Sequence, residues 1–113
     1  MTASPEYTQY VLELLEPMGS LTNGMFFGGE GFRYDGVQFA MVMGNTLYFC
    51  VDNSTREDYI AAGSKPFSYM TKKGRVYVKK YYSVPGEVIE DQDELLAWAY
   101  EAADIARKTA KKK

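Results

Sequence analysis

The feature that most restricts how this chain can fold is a series of glycine-bearing turns set along an aromatic and β-branched stretch from Leu21 to Asp52. Asp35-Gly36 lies between Phe32-Arg33-Tyr34 and Val37-Gln38-Phe39-Ala40. A two-residue Asp-Gly turn accepts positive φ at both positions and so matches the right-handed twist of the strands beside it, which makes this run a β-hairpin. Gly44-Asn45 then separates Phe39–Met43 from Leu47–Val51, and Gly28-Gly29 punctuates the run earlier. Three antiparallel strands in a meander are expected here.

Helical signals flank the stretch. Ser4-Pro5-Glu6 reads as an N-cap, a proline at the first helical position and an acid in the first turn. Tyr7, Tyr10, Val11, Leu14 and Leu15 then recur with helical spacing, and Gly19 beyond Pro17 ends the helix. Ser54 with Glu57 three residues later has the form of a capping box, opening a short helix over roughly residues 55–62 that Gly63 closes. A second strand pair follows, Phe67–Thr71 and Arg75–Ser83, with Lys73-Gly74 as its turn. Asp91 starts a long final helix whose apolar face is Leu95, Trp98, Ala99, Ala102, Ala103 and Ala106.

Strands are thus grouped with strands instead of alternating with helices. The pattern predicts an α+β domain: an antiparallel sheet, made of a three-stranded meander plus a hairpin, packed by N-terminal, middle and C-terminal helices. At 113 residues the chain has the size of one domain, read here as 1–113 with a basic frayed end at 107–113. Ten Tyr, six Phe and one Trp supply enough aromatic volume for a rigid core.

Composition removes several function classes. The chain has no histidine, so Ser-His-Asp and Cys-His nucleophilic sites and Cys/His zinc sites are excluded. Cys50 is the single cysteine and has no partner within the chain for a disulfide. The first ten residues lack the basic and apolar segments of a signal peptide, and no apolar run approaches the length of a membrane span; a cytoplasmic protein with no membrane role is expected. Charge is unevenly spread: residues 1–64 balance to −6 and residues 65–113 to +4. A basic region attracts anions even on a chain of net charge −2.

Several segments together resemble a known family. They are Met25-Phe26-Phe27-Gly28-Gly29-Glu30-Gly31-Phe32, Tyr34-Asp35-Gly36-Val37-Gln38-Phe39-Ala40, Leu47-Tyr48-Phe49-Cys50-Val51-Asp52, Pro66-Phe67-Ser68-Tyr69, Tyr81-Tyr82-Ser83-Val84-Pro85, and Trp98. In this combination the chain resembles the N-terminal domain of the TfoX/Sxy proteins, over nearly its whole length. The resemblance implies an α+β bacterial domain named for a regulator of natural competence, acting on transcription with a cyclic-AMP receptor protein. Two departures stand out. The family motif runs Met-Phe-Gly-Gly, whereas Phe27 intervenes here. Full-length regulators continue into a second, helical domain, so a stand-alone domain is expected. The signature residues Met25, Phe26, Gly28, Gly29, Gly31, Asp35, Gly36, Leu47, Tyr48, Pro66, Phe67, Tyr82, Pro85 and Trp98 are read as structural.

Each other candidate site has a plainer role beside it. Gly28-Gly29-Glu30-Gly31 has the glycines of an anion-cradling loop, but strand signals follow it where a helix is required, so it reads as a bulge or tight turn. Glu30 and Asp35 form a conceivable carboxylate pair, as do members of Glu90-Asp91-Asp93-Glu94, but the latter sit where a helix N-terminus favours negative charge. Cys50 lies in an apolar strand pattern, yet at a place where the family tends to have lysine; buried and solvent-facing placements both stay open. Lys65, Lys72, Lys73, Arg75, Lys79 and Lys80 are interleaved with Tyr69, Tyr77, Tyr81 and Tyr82. That mixture fits a nucleic-acid surface. It equally fits a strand edge kept soluble by lysine, since alternation places Arg75, Tyr77 and Lys79 on one side and Val76, Val78 and Lys80 on the other.

The resulting expectation is a non-enzymatic regulatory or interaction module with no cofactor, working through protein contacts and as a homodimer. Direct nucleic-acid binding through residues 65–82 and the lysine tail is the alternative. A small-molecule sensor or enzyme beside the Gly28–Gly31 turn ranks third.

Overall fold

The computed structural model describes residues 4–110. Helix α1 is Pro5–Leu15, followed by a single 3-10 turn Glu16–Met18 and by Gly19, whose φ of 88° stops the helical path. The Ser4 hydroxyl accepts the Tyr7 N–H at 3.4 Å, the expected cap. Strands β1 (Leu21–Phe26), β2 (Gly29–Tyr34), β3 (Val37–Met43) and β4 (Thr46–Cys50) then run as one antiparallel meander. Helix α2 (Arg56–Ala61) leads into β5 (Pro66–Thr71) and β6 (Gly74–Ser83). Helices α3 (Gly86–Ile89) and α4 (Gln92–Ala110) complete the described chain.

All six strands belong to a single antiparallel sheet in the order β1-β2-β3-β4-β6-β5. The meander and the hairpin predicted from sequence are joined edge to edge by Tyr48↔Ser83, Phe49↔Tyr82 and Cys50↔Tyr81. The architecture is the expected α+β one. The meander has a strand more than predicted: Leu21-Thr22-Asn23-Gly24-Met25-Phe26 is paired along its length with β2. Its sequence lacks clean alternation, and only pairing with the glycine-rich β2 holds it extended.

Three local details correct the sequence reading. The Ser54/Glu57 capping box does not form; instead the Asp52 carboxylate accepts the backbone N–H of Ser54 at 3.0 Å and of Thr55 at 2.9 Å, together with both hydroxyls. That network holds the Asp52 carboxyl below its ordinary range, chiefly through the Thr55 N–H. The β5–β6 turn is Lys72-Lys73, not Lys73-Gly74, because Thr71 pairs with Gly74. The short helix α3 is signalled only by Pro85 at its N-cap.

Helix α4 packs across β3 and β4 and buries Leu95, Ala99, Ala102, Ala103, Ile105 and Ala106. Its alanines let the helix approach the sheet closely. Asp91 accepts the Glu94 N–H at 3.3 Å and caps this helix, so the acidic run is explained by its position. Val11 and Leu15 of α1 are fully buried, and Gln92 donates to the Leu14 carbonyl at 3.0 Å, fastening α1 to the start of α4. Central strand β3 is buried from Phe39 to Met43, as expected of a middle strand. Phe39 is an extra residue at a bulge opposite Phe32/Arg33, and its ring meets Phe49 at 6.0 Å. Burying each of these large side chains contributes on the order of 1.5–3 kcal/mol. Arg107 and Lys108 lie in the last part of α4 and pair with Asp104. Lys111–Lys113, the rest of the expected basic end, lie outside the described residues.

Candidate interaction surface

The signature motif forms the β1–β2 hairpin. Its two-residue loop is Phe27-Gly28, with φ of 50° and 80°, the pattern of a type I′ turn. Gly28 takes that conformation freely. Phe27 does not: its Cβ crowds the following carbonyl, at a cost of roughly 1–2 kcal/mol. Asp35-Gly36, at the other end of β2, repeats the geometry with φ of 53° and 84°, there with a residue suited to it.

Gly29 and Gly31 have a different task. A Cβ at Gly29 would meet the Met43 sulfur and the Val42 carbonyl, and one at Gly31 would lie 2.5 Å from Gln38 Oε1. Both glycines are buried and make room for side chains of β3. Gln38 is held there by donating to the Tyr81 hydroxyl at 3.3 Å. The motif is therefore a bulge-free tight turn followed by a close backbone approach, and its glycines are not arranged around an anion.

What the turn presents outward is apolar. Met25 is 83 % exposed and Phe27 78 % exposed, the two largest exposures among the large hydrophobics of the described residues. Phe26 is half-buried, its ring 4.7 Å from that of Phe27. The tip is a methionine and two phenylalanine rings at a free corner of the sheet, beside edge strand β1. Asn23 donates to Glu30 at 2.6 Å on the polar side of the same hairpin. Glu30 and Asp35 stand at opposite ends of β2 and do not form a carboxylate pair.

The other edge of the sheet carries the basic residues. β6 pairs with β4 only through Tyr81–Ser83, so Gly74–Val78 pair with β5 alone and the hairpin extends past the sheet as a two-stranded ribbon. Pairing puts Phe67, Val78, Tyr69 and Val76 on one face of it and Ser68, Tyr77, Met70 and Arg75 on the other. On the first face Phe67 is buried and packs edge-on against Tyr48 at 5.4 Å. On the second, Arg75 donates to Ser68 Oγ at 2.8 Å, and Met70 and Tyr77 are 64 % and 59 % exposed. Lys72 and Lys73 form the tip; Lys79 and Lys80 stand where the register with β5 breaks.

Remaining signature residues divide between core and surface. Leu47, Phe67, Tyr82 and Pro85 are buried, while Tyr48, Pro66 and Trp98 are half-buried. Trp98 packs on the buried Tyr59 ring at 4.7 Å, tying α4 to α2. Cys50 is buried, 1 % exposed, and burial pushes its thiol up to about 11 against the pull of Lys80. The placement left open by sequence is thus the inward one, where burial disfavours the thiolate form. Among the described residues no group of three or more Cys, Asp or Glu is placed to hold a metal ion.

Two carboxylates line a shallow hollow between α2 and α4, made by Asp58, Tyr59, Ala97, Trp98 and Glu101. Desolvation, with Asp58 and Asp52 nearby, raises the Glu101 carboxyl above its ordinary value. Sequence reasoning missed this hollow, because its residues come from two helices far apart in the chain.

These features define a class: a small α+β domain with an antiparallel sheet, two dissimilar exposed edges, and its glycine motif serving a turn. Residues 13–106 match the family model of the TfoX N-terminal domain. The chain belongs to that family. A search of curated proteins found no match to it.

Proposed function

We propose that this chain is a non-enzymatic regulatory module that acts through protein contacts made by the β1–β2 tip. The observation that carries this reading is Phe27, which holds a left-handed backbone while its ring stands in solvent. Within the chain the residue contributes strain and almost no burial. A partner's apolar groove would give the ring, with Met25 and Phe26, the desolvation that the isolated domain lacks. The occupant is a protein, a second copy of the chain included, since the sheet edge beside the tip suits the isologous contact of a homodimer.

Membership of the TfoX N-terminal family supports a process of one kind, regulation of transcription in the manner of the competence regulators. The absence of histidine and the buried thiol of Cys50 agree with a module that does no covalent chemistry.

Affinity capture from host extract, paired with sizing, tests the reading. Wild type and a Lys72→Glu/Lys73→Glu variant should retain the same protein, or the same dimer, while Met25→Ser/Phe27→Asn loses it. Equal capture by the tip variant, or a monomeric profile with no retained protein, would overturn it.

A further inference from the structure

Residues 65–86 contain six basic residues and no acid. In the fold, four of them lie on the β5–β6 ribbon: Lys72 and Lys73 at its tip, Arg75 one pair behind the turn and Lys79 at its base. None takes part in an ion pair; the pairs formed among the described residues are those of Asp104 with Arg107 and Lys108. Unneutralised cations on a projecting element serve no purpose in the core. Edge protection places charge on the strands themselves, but β5 carries none of the four, and Lys72 and Lys73 lie in the turn, on neither strand.

We infer that the β5–β6 ribbon is a binding arm for double-stranded DNA. From Gly74 to Lys79 the strand rises about 17 Å at roughly 3.4 Å per residue. The major groove of B-form DNA is about 12 Å wide and admits a two-stranded ribbon, so tip and base lysines reach phosphates on both sides of it. The ribbon enters with the face that holds Ser68, Met70, Arg75 and Tyr77. Arg75 is already steadied by Ser68 Oγ, and its planar fork suits the acceptors of a guanine edge. Tyr77 and Met70 supply the apolar contact that a base step offers. The opposite face, with Phe67 against Tyr48, stays with the protein. An acidic polypeptide would satisfy the charges but would leave this spacing, and the pairing of an arginine fork with an exposed ring, without a use.

The arm lies on the sheet edge opposite the β1–β2 tip, so the inference is independent of the protein-contact reading. Its test is fluorescence anisotropy of the full chain with a 20-base-pair duplex across a salt series. Three phosphate contacts, from Lys72, Lys73 and Lys79, predict a slope of log K against log salt of about −2.7, and a loss of roughly 40-fold between 50 and 200 mM salt. Lys72→Gln/Lys73→Gln should cut the slope to about a third; Tyr77→Ala should weaken binding about tenfold with the slope kept. Amide shifts on adding duplex should fall on residues 68–80, which locates the site without any substitution.

Absence of binding at 25 mM salt overturns the inference. So does a slope that the ribbon variant leaves intact while Lys111→Ala/Lys112→Ala/Lys113→Ala abolishes it, which assigns binding to the terminal lysines. Equal affinity for duplex RNA, whose deep groove excludes a ribbon, or displacement by polyglutamate at matched charge, overturns it as well.

Discussion

At the scale of single residues, Phe27 and the glycines around it define what this hairpin does. Gly29 and Gly31 are set by space, Gly28 by backbone conformation, and Phe27 by neither. Asparagine tolerates the left-handed region, and Asn-Gly is the preferred type I′ pair. Phe27→Asn should therefore stabilise the domain by about 1 kcal/mol in urea unfolding, with an unchanged m-value. A loss of stability would mean that the ring packs usefully within the isolated domain. The glycine motif, the Asp35-Gly36 turn and the Ser4 cap were all legible in the sequence because each depends on neighbours within four residues. The inward placement of Cys50 was not, since Phe49 and Cys50 are both buried although they point to opposite faces of β4, and the covering of both faces is set by distant segments.

Among elements, the two edges of the sheet differ in how firmly they are held. β3 has a partner on each side and a helix on top, whereas Ser68–Val76 bond only to one another across the ribbon. A lone two-stranded pair is marginal in water. Backbone amides of the ribbon should exchange at least a hundredfold faster than those of Phe39–Met43, which open only with the whole domain. Comparable protection in hydrogen-exchange mass spectrometry would show that the ribbon is covered in solution. Sequence revealed both strands of this hairpin but not its projection, because the point where β6 leaves β4 is set by long-range pairing. Strand β1 was missed for a related reason: its extended form comes from pairing with β2, and its own residues do not alternate. The Ser54/Glu57 box has the right letters, yet Asp52, two residues earlier, takes the Ser54 N–H and hydroxyl that the box would use.

For the whole molecule, the distinctive electrostatic feature is the hollow where Glu101 of α4 faces Asp58 of α2, with Asp52 ahead of that helix. A carboxyl whose pKa is raised in the folded state binds its proton more tightly there than in the unfolded chain. Glu101 then costs nothing below its ordinary value of 4.5 and destabilises as pH rises through the raised value above it. Glu101→Gln should raise Tm at pH 7.5, and the gain should vanish toward pH 4. A gain of the same size at both pH values would point to packing instead of charge.

The sequence by itself determined the class of the fold, the order of its helices and most of its strands, the turn chemistry and the family. These rest on period, capping and turn preferences that act over a few residues, and on motifs that can be read in order. Tertiary structure alone decided that the meander and hairpin share one sheet, that Met25 and Phe27 stand in solvent, and that the lysines ride on a free ribbon. Such outcomes depend on which distant strands pair and what a helix covers. Long-range pairing and burial carry no local signature, because the same alternating residues fit an edge strand or a central one equally well.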